Sequence, residues 1–332
     1  MGEVFLEEGV VVLMGTFFLD INWPVRLGCS DSVGDPRMTT DNGIDFAERQ
    51  ARGITTTTSD RRHPANLAAL FSSFYQHRQI IFQMARREVM GRYRGSAMGL
   101  AWSFFNPVLM LVIYTFVFST VFKARWGTGG DESQVDFAIV LFVGMIVHGL
   151  FAECVNRAPQ LIIGNANYVK KVVFPLETLP WIAMGSALFH AAISLAVLLV
   201  VQLTLTARVP WTAFLFPLIL LPLIFATMGF AWFLAATGVY VRDIAQTTGL
   251  FTTVLLFVSP VFYPVSALPQ KFQLALMLNP LTFIIEQARQ VMLWGKLPDW
   301  AGLGLYSLAS VALAWAGFWW FQRTRKGFAD VL

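Results

Sequence analysis

Four histidines, two cysteines and one glycine–lysine pair are the residues whose types could carry chemistry, as metal ligands, nucleophiles or a phosphate cradle. His63, His77, His148 and His190 never fall at metal-binding spacing, and neither Cys29 nor Cys154 joins them. The two cysteines lie far apart, with no disulfide framework, and a reactive thiol at either stands beside the plainer reading of an ordinary structural residue. Gly295-Lys296 is followed by Leu297, with no glycine-rich loop before it, so the chain has no P-loop for ATP. His148 and His190 fall in apolar segments, where an ionisable group is a functional candidate by default. A proton relay is one reading, and a neutral imidazole bonding a neighbouring helix is the other. Only Glu153, at a segment boundary, offers a carboxylate, which weighs against the relay. No acid–base cluster suits a membrane-embedded transferase, and neither a catalytic nor a metal site is expected.

The elements that must position these residues follow from composition. Of 332 residues, 56% are hydrophobic and 13% charged, and the mean hydropathy is +0.60. Soluble domains carry about 25% charged residues. So little charge cannot cover a surface in water, whereas lipid-facing side chains should be apolar. The net charge of +4 does not imply nucleic acid. A helix needs about 20 apolar residues to cross about 30 Å of hydrocarbon. Charge-free stretches of 28, 16, 30, 33, 27 and 23 residues begin after Arg94, Asp136, Glu177, Arg208, Asp243 and Asp299. They predict six spans, at about 96–122, 135–155, 178–206, 212–238, 246–262 and 300–322. With the N-terminus inside, 18 Lys and Arg fall on the cytoplasmic side and 6 outside, which predicts that both termini are cytoplasmic.

Three segments are not spans. Residues 1–65 read as a disordered or mis-annotated extension: Val10–Leu19 is too short to cross, no signal peptide is visible, and Met38 is an alternative start. In residues 66–94, Leu67, Leu70, Phe71, Phe74, Ile81 and Ala85 recur at helical spacing among Arg78, Arg86, Arg87, Arg92 and Arg94. That predicts an amphipathic helix in the inner membrane interface. Residues 263–299 are broken by Pro264, Pro269, Pro280 and Pro298. They read as two short helices meeting at Asn279, with Asn as cap and Pro in the first turn. Either a re-entrant hairpin or a flat lid would fit. Residues 323–332 form a tail. The fold class is therefore all-α: six membrane helices, an interface helix and a short outer helical hairpin. No internal repeat or buried carboxylate suggests a secondary transporter, so the energy must come from elsewhere.

Four motifs in register resemble the type-2 ABC exporter permeases, nearest to those that export O-antigen, capsule or teichoic acid. They are the run Arg86-Arg87-Glu88-Val89-Met90-Gly91-Arg92-Tyr93-Arg94-Gly95 continuing to Trp102 and Asn106-Pro107; Asn167-Tyr168-Val169-Lys170-Lys171 to Pro175; Tyr240-Val241-Arg242-Asp243-Ile244; and Asn279-Pro280-Leu281. The resemblance runs from about residue 66 to the end. It implies a homodimer in a bacterial plasma membrane, with a separate cytoplasmic ATPase that binds ATP and magnesium, while this chain binds no cofactor. The implied cargo is a lipid-linked glycan; a drug or lipid permease is the alternative, and a non-transporting scaffold is the alternative of another class. By the same resemblance, Asn165, Asn167, Tyr168, Lys170 and Lys171 form the coupling segment, and Asn279 and Pro280 the outer gate. Arg242 and Asp243 read as a local ion pair. Tyr114, Phe118 and Phe122 share one face of the first span, and Phe251, Phe257, Phe262 and Tyr263 crowd the fifth. These aromatics are the substrate-path candidates, since sugar C–H edges pack weakly on π-faces; packing between helices or facing lipid is the plainer reading.

Overall fold

A computed structural model describes residues 67–121, 134–170, 174–206, 209–277 and 279–332, and within them only helices and their connections occur. Residues 1–65, Phe122 and Lys171 of the sequence expectations lie outside the described residues. Helix α1 (Leu67–Tyr93) precedes α2 (Trp102–Tyr114), which a π-helical turn extends through Thr115–Val121. Then come α3 (Gln134–Arg157), the short α4 (Gln160–Ile163) and α5 (Ala166–Lys170), and α6 (Leu179–Thr206). They are followed by α7 (Phe216–Tyr240), α8 (Ile244–Val258), α9 (Gln270–Met277), α10 (Pro280–Met292), α11 (Trp300–Thr324) and α12 (Phe328–Val331).

Five segments are long and apolar enough to cross a membrane: Gly99–Phe118, Phe137–Arg157, Leu176–Thr204, Trp211–Tyr240 and Trp300–Val331. The sixth expected span is α8, a shorter apolar helix of 15 residues that ends at Val258 rather than running to 262. Pro260 is the reason. The residue before a proline is pushed out of the helical region, and Ser259 adopts φ −74°, ψ 150°.

The spans differ sharply in what surrounds them. The central window of α3 is 78% buried, against 17% for the first span. That contrast explains the shortest charge-free stretch: a helix enclosed by protein can carry polar groups that a lipid-facing helix cannot. α3 packs on α6, α7, α8 and α10, and α1 lies along α6. Among residues 70–93 of α1, Leu70, Ile81, Ala85 and Val89 are buried, the last three at four-residue spacing. Phe71 and Phe74 stay partly exposed, although their rings meet Phe225 and Trp181.

The most extensive helix pairing joins α7 to α11. It depends on close backbone approach at Gly229 and Gly317. A Cβ on Gly229 would stand 2.6 Å from the Leu313 carbonyl oxygen, and one on Gly317 would strike the Gly229 backbone. Small residues at such crossings let membrane helices meet without side-chain insertion. Beside the crossing, the buried Trp232 packs against Trp181 and Phe318, and its indole N–H donates to the Glu177 carbonyl at 3.1 Å. Gly229→Ala is expected to cost about 1–3 kcal/mol by overpacking, measured by detergent-induced unfolding in bicelles; unchanged stability would contradict this contact.

Candidate functional site

The end of α1 meets α3 and α6 in a polar cluster. Arg92 Nη1 lies 2.9 Å from Glu153 Oε1, and both Glu153 oxygens lie 2.9 Å from His190 Nδ1. Tyr93 Oη is 3.0 Å from His190 Nε2. The imidazole thus sits between the carboxylate and the phenol, with Arg92 Nη1 3.3 Å from the same Nδ1. Burial holds the Tyr93 phenol above its ordinary pKa. One turn further along α3, Arg157 pairs with Glu88 of α1. Two guanidiniums and two carboxylates thus bind the interface helix to the spans.

A groove of about 290 Å³ opens beside this cluster, between the first span and α3. Its polar end holds Arg92, Tyr93, Glu153, His190, Ser194 and Asn106; its other end is walled by Met110, Tyr114, Phe142, Met145 and Ile146. Ser103, Asn106, Met110 and Tyr114 recur every three or four residues, so one helical face of the first span lines it. Eleven residues from Ser103 to Tyr114 correspond to about 16 Å of helix.

Tyr114 leads from the groove into a row of rings. Its centroid is 6.5 Å from that of Phe118, which stacks on Phe262 at 5.7 Å, and Phe262 stacks on Phe257 at 5.7 Å. Four of the seven aromatic path candidates are thereby joined. Phe251 is exposed on α8 and outside the row. Tyr263 uses its hydroxyl to donate to the Phe257 and Val258 carbonyls, closing the end of α8.

The break after α8 is held by a residue that sequence counting places among loop charges. Arg289 is fully buried. Its Nε donates to the Val140 carbonyl at 3.1 Å, Nη1 to Pro260 at 2.6 Å and Nη2 to Val261 at 3.0 Å, and Nη1 also pairs with Glu286 at 3.1 Å. Nine of the thirteen residues of α10 are buried, and the helix packs on α3 and α7. Asn279 caps it by accepting from Leu281 N at 2.9 Å, and its amide donates to Ser259 Oγ at 2.8 Å. Gln202 and Thr212 donate to the terminal Met292 and Val291 carbonyls.

At the expected coupling segment, Asn167 and Lys170 are exposed on α5, and Asn165 donates to Leu161 O at 2.8 Å. Tyr168 stacks on Phe174 at 4.6 Å. Three residues on, Glu177 pairs with Arg325 at 2.7 Å, and α12 packs on α5. The chain's C-terminal residues are therefore folded against this segment, with Phe328 buried. Arg242 and Asp243 do not form the expected ion pair; both are exposed in the turn between α7 and α8. Asp243 is the residue just before α8, and its side chain does not cap that helix.

Sequence reasoning also missed the Glu153–His190 pair, whose members lie 37 residues apart on different helices. The available signal was a carboxylate and a histidine in two consecutive apolar segments. His148 follows the plainer expectation: its Nε2 lies 3.0 Å from the Thr252 carbonyl on α8. Cys154 is buried. Among the described residues, no three His, Cys, Asp or Glu side chains come together as a metal site.

Residues 79–293 match the model of the family described as ABC-2 type transporter. The chain is 28% identical over 263 residues to an O-antigen export system permease protein, RfbA, of Myxococcus xanthus, covering 79% of this chain and 98% of the relative. A protein of the same description from Klebsiella pneumoniae is 23% identical over 255 residues, covering 76% and 95%. A polysialic acid transport protein, KpsM, of Escherichia coli is 21% identical over 271 residues, covering 77% and 96%.

Replacing Arg289 tests the lock directly. Arg289→Met strands three carbonyls and Glu286, and removing one partner from such a buried network costs about 3–5 kcal/mol. Arg289→Lys is expected to recover only part of this, because an ammonium cannot reproduce the guanidinium fork. Unfolding midpoints in bicelles should fall from the unmodified chain to Arg289→Lys to Arg289→Met.

Proposed function

The chain belongs to the ABC-2 type transporter family, and from that premise we propose that it is the membrane permease subunit of an ATP-driven exporter of a lipid-linked polysaccharide. The observation that carries the reading is the alignment along 98% of an O-antigen export permease, in a multi-pass helical chain without a P-loop. Two copies form the pathway in a bacterial plasma membrane, with both termini cytoplasmic. A separate ATPase subunit beneath each copy binds and hydrolyses magnesium-ATP.

In this reading the ATPase docks on the coupling segment around α5, through Asn165, Asn167, Tyr168, Lys170 and, in sequence just after the helix, Lys171. Support comes from the exposed Asn167 and Lys170 and from the connections behind them. The Tyr168–Phe174 stack and the Glu177–Arg325 pair give a push on α5 a stiff route into α6 and α11. At the opposite end, Asn279 and Pro280 begin the gate helix α10. The aromatic row from Tyr114 to Phe257 offers weak, repeated contacts, which let a long cargo bind and leave.

Deleting the gene should strip the glycan from the cell surface and leave lipid-linked glycan inside; unchanged surface glycan would overturn the permease assignment. Replacing both Lys170 and Lys171 with Glu should abolish export while the protein still inserts and its ATPase still turns over. Normal export by that variant would overturn the coupling assignment.

A further inference from the structure

Resting on the permease reading above, we propose that the groove between the first span and α3 is a subsite for one neutral hexopyranose ring of the transported glycan, held by Asn106 and the Arg92–Glu153–His190 cluster. Size limits the occupant. About 290 Å³ lies at the lower end of the roughly 300–1,000 Å³ typical of ligand pockets, so the groove suits a single ring rather than an oligosaccharide.

Charge selects its chemistry. Arg92 and Arg157 each face a carboxylate, Glu153 and Glu88, and His190 lies between Glu153 and Tyr93. Neither guanidinium stands free of a carboxylate to draw a phosphate out of water. The cluster presents donors and acceptors side by side instead, the pattern that vicinal hydroxyls meet, since each hydroxyl donates and accepts at once.

Asn106 adds a polar group on the wall opposite the cluster. It is exposed, and its amide lines the groove. An amide offers both donors and an acceptor to a hydroxylated ligand. Met110, Tyr114 and Phe142 on the facing walls offer apolar and aromatic surface to the C–H face of the same ring. Tyr114 then hands on to Phe118 and the aromatic row.

The test uses the full chain in lipid nanodiscs and saturation-transfer NMR. The probes are methyl α-D-mannopyranoside, methyl β-D-glucopyranoside and methyl β-D-galactopyranoside, with inorganic pyrophosphate, followed by phosphorus NMR, as the anionic probe. At least one glycoside should bind saturably. Asn106→Leu should weaken it about fivefold, the factor that one neutral hydrogen bond supplies. Ser194→Trp, which fills the groove, should abolish it. Asn106→Leu leaves every ion pair of the cluster in place, so its thermal melt should match the unmodified chain and a lost signal cannot come from unfolding. Binding of none of the glycosides, or equal binding by all three proteins, overturns the proposal. So does pyrophosphate binding that Ser194→Trp removes while no glycoside binds, which makes the groove an anion site. The gene-deletion result above judges the permease reading separately: surface glycan that depends on the gene, with no glycoside binding, removes the subsite alone.

Discussion

A buried guanidinium facing three backbone carbonyls is the constraint around which one end of this bundle is organised. Chain that leaves a helix at membrane depth exposes carbonyls that no water will meet, and such backbone survives only where protein covers it. The chain leaves α8 at Val258, and the carbonyls of Pro260 and Val261 would be orphaned there. Arg289 reaches both, and Val140 besides. That side chain projects from α10, which packs against α3 and α7 with nine of its thirteen residues buried. Asn279, Gln202 and Thr212 then satisfy the two ends of α10.

The opposite requirement operates at the α1 end. There the charges are only partly buried: the Arg92 side chain is 40% exposed, and its partner Glu153 is shared with His190. Exposed pairs of this kind add little to stability. Their effect is positional: they fix α1 to α3 and α6 and give one wall of the groove its donors and acceptors.

The spans were legible because length and charge exclusion are enforced by the bilayer whatever the tertiary packing. The Asn279 cap was legible because a cap is local. Reading failed where contacts are long-range. Arg289 was counted as a loop cation although it sits in an apolar helix three residues after Glu286, a pairing that could have marked it as enclosed. Arg242 and Asp243 are neighbours in sequence, but both lie exposed in the turn between α7 and α8 and do not pair. A charge-free count takes no account of Pro260, which shortens α8. The aromatic row was half legible: spacing gave Tyr114 and Phe118 one face, but only folding could bring Phe262 and Phe257 to them and leave Phe251 apart.

The unequal burial of the spans also says how motion can be divided. α3 is enclosed and cross-linked to α1, α6, α8 and α10, so displacing it breaks many contacts at once, and close-packed interiors respond as units rather than by gradual deformation. The first span is held to the rest by far less protein, with a π-helical turn at its end and Pro107 within it. Proline and π-turns are the places where helices bend. A force delivered through the Glu177–Arg325 junction would therefore move the α3–α7–α11 body as one piece, and the first span, along with the groove it lines, is the element left able to shift against it.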